Sequence, residues 1–145
     1  MDDRDDVNQS ALADRLHSLA IHLLRRIRRG DDEVGLSAPR LSALSVIRYR
    51  GPISLTELAK AESVTAPTMT RLVHALVGAG LVEKSGDEKD NRVVLLRATE
   101  AGHHTLEIAR AKRLAALDTL LAQLDGPERK VVEDAVSVLE PLLRP

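Results

Sequence analysis

The run from Glu57 to Val82, ELAKAESVTAPTMTRLVHALVGAGLV, constrains this chain more than any other part of it. Set on a helix at about 100° per residue, Met69, Leu72, Val73 and Leu76 form one i, i+3, i+4, i+7 stripe. Pro67, Thr70, Arg71 and His74 fall on the other side. The spacing predicts a helix with one face buried and a second face, small, polar and carrying one guanidinium, turned outward. Just upstream, Ser54-Leu55-Thr56-Glu57 has the S-x-x-E form of a capping box, in which each side chain satisfies a backbone donor at a helix start. A first helix over Leu55 to Ala61, a turn at Glu62-Ser63-Val64 and a second helix capped by Thr65 follow. Gly78 and Gly80 close the second helix, with Gly80 suited to the left-handed position.

The flanking segments read as supports for this pair. Four aspartates among the first six residues repel one another, so Met1 to Gln9 is expected as a frayed tail, with order beginning near Ser10. Leu12, Leu16, Leu19, Leu23 and Ile27 then repeat at helical spacing, and Ala20, Ile21 and Leu24 widen the stripe. Arg25, Arg26, Arg28 and Arg29 end that helix before Gly30, where cations suit the negative end of the macrodipole. The same arginines are also candidates for contact with a nucleic-acid backbone. After a polar loop from Asp31 to Leu36, Ser37 caps a helix that tolerates Pro39 in its first turn and buries Leu41, Leu44 and Ile47. Gly51-Pro52 stops it, and Ile53 is expected in a very short strand.

Beyond Gly80 the pattern changes from helix to strand. Residues 81–85 and 92–98 are rich in β-formers and flank the turn-rich 86–91, which predicts a hairpin with a long polar tip. A helix starting at Thr99 and running to about Leu124 carries Leu106, Ala109, Leu117, Leu120, Leu121 and Leu124. Gly126-Pro127 breaks it, and a last helix follows with Val131, Ala135, Val138, Leu139 and Leu142 on one stripe and Pro141 distorting its end. The fold class is therefore mainly α with a small antiparallel β-wing: a winged helix-turn-helix at 37–102. The helices at 10–30 and 103–145 hold more apolar surface than a small winged unit can cover, which predicts a homodimer.

Composition narrows the function. With 145 residues one ordinary domain is expected, and Tyr49 is its only aromatic residue. Stacking of unpaired bases on aromatic rings is then excluded, whereas duplex DNA needs no such rings. No cysteine is present, which removes disulfides, thiolate metal sites and thiol redox sensing. A net charge of −1 argues against a protein that holds DNA by bulk charge, so a few locally placed cations must suffice. The acidic N-terminus lacks the apolar core of a signal peptide and no apolar run reaches membrane-spanning length, so a cytoplasmic protein without membrane contact is expected.

Ser63 to Val73 (SVTAPTMTRLV), Gly80 to Val82 (GLV), D-x-x-D-x-R at Asp87, Asp90 and Arg92, and L-x-x-T-x-x-G ending at Gly102 together resemble the MarR family of bacterial transcriptional regulators, in order and spacing. The resemblance implies a two-fold symmetric homodimer whose winged lobes bind a palindromic promoter site, most such proteins being repressors. It implies that Pro67, Thr68 and Arg71 read the groove, with Thr65, Ala66 and Thr70 beside them. At the wing it implies that Arg92 enters the minor groove, held by Asp90, with Lys89 adding charge. Here Glu88 and Asn91 stand where a proline or a second cation is common, so this wing tip is less basic than the family's usual one.

Arginine matches guanine O6 and N7 with its fork, although Arg71 can equally hold a phosphate. His17, His22, Arg48 and Tyr49 are candidates to line a cleft for a small amphipathic or aromatic acid effector, while Tyr49 alone more often reads as a core residue whose hydroxyl finds a partner. His103 and Glu107 share a helix face, but two ligands do not make a metal site, and no cofactor is expected. No phosphate loop, nucleophile elbow or metal triad appears, so an enzyme is not expected. The alternative function is a dimeric winged module that binds a protein partner.

Overall fold

In the computed structural model, which describes residues 3–29, 31–86 and 93–143, helices and strands follow the predicted order. They are α1 (Asp3–Arg28), a 3-10 turn (Asp32–Val34), α2 (Ala38–Arg50), β1 (Ile53–Ser54), α3 (Leu55–Ala61), α4 (Ala66–Gly78), β2 (Val82–Gly86), β3 (Val94–Ala98), α5 (Glu100–Leu121) and α6 (Gly126–Leu143). Helix α1 begins at Asp3, seven residues before the expected Ser10. The repulsion that argued for a frayed tail does not keep the backbone from helical form from Asp3 onward.

The core lies where α2, α3 and α4 meet the sheet. Leu41, Leu44 and Ile47 of α2, Leu58 of α3, Met69, Val73 and Leu76 of α4, and Leu96 of β3 are all buried. Each such side chain contributes about 1.5–3 kcal/mol, so the α4 stripe alone is enough to fix which face of that helix points inward. Leu72, at the edge of the stripe, is only partly covered. Tyr49 is 74 % exposed, contrary to a core role, because it lies off the face of α2 that Leu41, Leu44 and Ile47 bury. Its ring lies against the Arg48 guanidinium, 5.6 Å from the centroid.

Ser54 and Glu57 form the full capping box at the start of α3: Ser54 Oγ accepts from Glu57 N at 3.3 Å, and Glu57 Oε2 accepts from Ser54 N at 3.0 Å. Asp125 and Glu128 repeat the arrangement at α6, with backbone-to-carboxylate distances of 2.8 and 3.0 Å. The turn between α3 and α4 passes through Ser63 at φ +54°. The three strands are antiparallel in the order β1-β3-β2, with Ile53 and Lys84 both opposite Leu96. The hairpin tip at 87–92 lies outside the described residues.

A joint ties the end of α4 to the start of α5. Gly80 takes the left-handed conformation at φ +71°, and its carbonyl accepts a 2.7 Å hydrogen bond from Thr99 Oγ1. Thr99 N donates to Leu81 O at 3.0 Å, and Thr99 Oγ1 caps α5 by accepting from Gly102 N at 3.1 Å. Gly102 is buried against the same strand start: a Cβ there would stand 2.2 Å from Leu81 O. The L-x-x-T-x-x-G motif is thus the hinge plate on which α5 meets the end of α4.

Helices α1 and α6 bury little within the chain. α6 has no buried residue, and Leu12, Leu16 and Leu19 of α1 and Val131, Val138 and Leu142 of α6 are exposed. Such continuous apolar stripes are unfavourable in water unless something covers them. Among the described residues no helix is long and apolar enough to cross a membrane.

Candidate nucleic-acid interface

Helix α4 presents its outer face without obstruction. Thr65, Ala66, Pro67, Thr70, Arg71 and His74 are exposed and Thr68 is half-buried, on the side opposite Met69, Val73 and Leu76. Thr65 sits at the N-cap with φ −71° but donates its hydroxyl to Thr68 Oγ1 at 3.0 Å rather than capping the helix. The first amide groups of α4 therefore keep no side-chain partner, which leaves the positive end of the helix open to an anion. Thr70 donates to Ala66 O at 2.8 Å, so its hydroxyl proton is already engaged although the residue is exposed. Arg71 forms no side-chain hydrogen bond or ion pair among the described residues and is free to reach a base or a phosphate. Lys89, Asp90 and Arg92 of the wing tip, together with Asp87, lie outside the described residues.

Lys84, an exposed residue of β2, shares a shallow hollow with Thr70 and His74 of α4 and Val94 of β3. It adds a cation between helix and wing that sequence reading did not single out. The period of two along β2, which puts Lys84 on the same face as Val82 and opposite Leu96, was the available signal.

The residues singled out for a small-molecule cleft separate into two groups. Arg48 and Tyr49 line a cavity of about 420 Å³ between α2 and α5, whereas His17 and His22 are exposed along α1 and do not border it. Its further lining includes Arg28 at the end of α1 and Glu107, Arg110 and Arg113 of α5. Spacing of three along α5 puts the last three on one face, a pattern visible in the sequence once the facing helix is known. Arg48 donates to His103 O at 3.3 Å and to Glu107 Oε1 at 3.4 Å. Arg113 grips Asp31, and this hydrogen bond is the main cause of a guanidinium pKa held above its ordinary value, against an opposing effect of burial and with Asp31's charge adding. Lys112 pairs with Glu33, whose carboxyl is held below its usual range first by that hydrogen bond and then by the ammonium charge. Among the described residues no group of three or more His, Cys, Asp or Glu could hold a metal ion.

A sequence profile of the MarR family matches residues 36–94, the span from the start of α2 into β3. An uncharacterized HTH-type transcriptional regulator of Mycobacterium bovis is 30% identical over 132 residues, covering 91% of this chain and 92% of that protein. The chain belongs to the MarR family. It is accordingly a DNA-binding transcriptional regulator with a winged-helix fold, and not an enzyme. Among solved structures, a MarR family protein from Bacillus stearothermophilus is 26% identical with a TM-score of 0.76, covering 99% of this chain and 98% of that one. A MepR variant from S. aureus bound to an oligodeoxyribonucleotide has a TM-score of 0.71 at 17% identity, covering 92% of this chain and 98% of that one. Membership of the MarR family favours duplex DNA over the protein-partner alternative for the exposed face of α4.

Proposed function

We propose that this MarR-family protein is a homodimeric repressor that binds a pseudo-palindromic promoter site and is released by a small acidic effector. The observation that carries the reading is the two-sided α4: Met69, Val73 and Leu76 are buried and lock its orientation, which turns Pro67, Thr70 and Arg71 out to solvent. Residues 37–102 act as the DNA-binding lobe, with Thr65, Ala66, Pro67, Thr68, Thr70 and Arg71 against the major groove. Lys89, Asp90 and Arg92 serve the adjacent minor groove. Residues 10–30 and 103–145 form the dimer, a role supported by the uncovered leucines and valines of α1 and α6.

Two copies related by a two-fold axis read two half-sites about one helical turn apart, and occupancy of a promoter excludes the polymerase. With a net charge of −1, each lobe holds DNA weakly, so both lobes are needed and binding weakens steeply with salt. Footprinting on the DNA upstream of its own gene tests this. Protection of two half-sites on one face of the duplex is expected. Absence of protection, together with no duplex shift at low salt, defeats the reading.

A further inference from the structure

The crevice between α4 and the hairpin holds two basic side chains with no acidic partner. Lys84 lies on the same face of β2 as buried Val82 and opposite buried Leu96, so it stands at the outer end of the face that packs toward α4. His74, one turn beyond Thr70 on the exposed side of α4, shares with Lys84 a hollow of about 170 Å³. Leu55, Val73 and Leu96 make its apolar floor, and no carboxylate lines it. Neither Lys84 nor His74 has a side-chain hydrogen bond or ion pair among the described residues. Thr70 has no proton to give there, since its hydroxyl already donates to Ala66 O at 2.8 Å. Small-molecule sites occupy about 300–1,000 Å³, so a hollow of this size takes one group of a larger ligand.

We propose that Lys84 and His74 together seat one backbone phosphate of duplex DNA, and that protonation of His74 strengthens the seat. The inference rests on the reading given above, in which α4 enters the major groove and the hairpin the adjacent minor groove. Adjacent grooves are divided by a single sugar-phosphate strand, so a helix in one and a hairpin in the other straddle that strand. Its phosphates therefore pass through the crevice where Lys84 and His74 stand. The lysine offers a permanent point charge, and the imidazole offers an N–H donor that becomes charge-assisted on protonation. Histidine side chains change charge between about pH 5 and 8. A phosphate alongside favours the charged form, so binding takes up a proton and duplex affinity falls as pH rises through that range. The charged groups on this side are Arg71, one turn back on α4, and Lys84 from β2, while α3 and β3 present Leu55 and Val94. Both charges are positive, which leaves an incoming anion as the group that compensates a protonated His74.

The test measures affinity of the full chain for a mixed-sequence duplex and for the DNA upstream of its own gene, over a salt series and from about pH 5.5 to 8. Lys84→Gln should weaken both duplexes alike, by about tenfold per lobe. It should also lower the slope of log affinity against log salt by about 0.9 per lobe, the value of one lost phosphate contact. Lys84→Arg should keep that slope. Between the two ends of the pH range, parent affinity should change by about tenfold per lobe more than that of His74→Gln. His104→Gln, which removes an exposed histidine of α5, should keep the parent's pH dependence. Inorganic phosphate at matched ionic strength should displace duplex no better than chloride does.

An unchanged salt slope in Lys84→Gln overturns the proposal and leaves the lysine as a guard of the β2 edge. Loss confined to one of the two duplexes places Lys84 on a base and overturns it too. Equal pH dependence in parent and His74→Gln removes the histidine from the seat. Displacement by inorganic phosphate that needs Lys84 makes the hollow a site for the free ion, and the proposal fails. Arg71→Ala separates the seat from the reading beneath it. If that change weakens duplex binding while Lys84→Gln and His74→Gln do not, the seat fails and the reading of α4 stands; if all three bind as the parent does, the reading itself fails.

Discussion

Arg113 and Asp31, 82 residues apart, meet in a two-point contact, with Nε to Oδ1 at 2.8 Å and Nη2 to Oδ2 at 2.7 Å. The contact pins the chain between α1 and α2 onto α5. Its two ends are not equivalent: the Asp31 side chain is 3% exposed and that of Arg113 is 37%. Removing the arginine strands a buried carboxylate, while removing the aspartate leaves a guanidinium that water can still reach. Arg113→Ala should therefore cost about 3–5 kcal/mol, and Asp31→Ala about 1–3 kcal/mol. Urea unfolding of both variants and of the double variant checks this, and the double variant should be more stable than Arg113→Ala alone. Equal costs for the two single changes contradict the asymmetry.

A second prediction concerns Gly102. A methyl group there meets Leu81 O at 2.2 Å and Leu44 Cδ1 at 3.3 Å, and the first of these is backbone that cannot turn aside. Gly102→Ala should destabilise by about 1–3 kcal/mol despite the better helix propensity of alanine. It should also weaken DNA binding, since relief of the clash moves the end of α4. A variant as stable as the parent shows that the joint is softer than its distances imply.

How much of this was legible in the sequence varied with the range of the interaction. Helices α3 and α4 follow from local signals, the S-x-x-E box at Ser54 and the stripe of Met69, Val73 and Leu76, so their bounds could be read directly. The Asp31 contact could not be. Asp31 and Glu33 look alike along the chain, and only the packing of α5 decides which carboxylate is buried. Tyr49 misled for the opposite reason, since aromatic character argues for the core and the helical phase of α2 overrides it. The arginines of the cavity come from three helices, and no single segment displays them together. His17 and His22, expected beside Arg48 and Tyr49, are exposed along α1 and do not border the cavity.

The capping box at α3 predicts a pH dependence. Hydrogen bonds from the Ser54 side chain, then from the Ser54 backbone, hold the Glu57 carboxyl below its usual value, with a small opposing effect of desolvation. A carboxylate whose pKa is lower in the folded state adds stability above its unfolded pKa and loses it as pH falls through the folded one. The parent should therefore lose stability below the ordinary carboxylate range more steeply than Glu57→Gln does. Melting temperatures across the acid range check this. Parallel curves for the two proteins remove the box as the cause.

Arg71 offers the sharpest test of what α4 reads. Its side chain has no partner within the described residues, so its removal costs the fold almost nothing. Arg71→Ala should weaken binding to the preferred site by about 1–3 kcal/mol and relax the preference at one base position if the fork meets a guanine. Loss of equal size on every sequence, with a shallower salt slope, reassigns Arg71 to a phosphate. Selection from a randomised duplex library, done with parent and variant, separates these outcomes.

The dimer prediction follows from α1 and α6. Leu19 is 60% exposed and Val138 is 67% exposed, and in the proposed assembly both are covered by the second copy. A carboxylate at either position is harmless in a monomer and expensive in an apolar interface. Leu19→Glu and Val138→Glu should each raise the dimer dissociation constant by at least about hundredfold while leaving the monomer's helix content unchanged. Sedimentation over a concentration series reads the first effect and circular dichroism the second. Because two linked lobes gain about 10²–10⁴ in avidity over one, the same variants should lose affinity for a full operator but keep that for an isolated half-site. A variant that stays dimeric places its residue outside the interface, and one that is monomeric yet binds the full operator undiminished removes the need for two lobes.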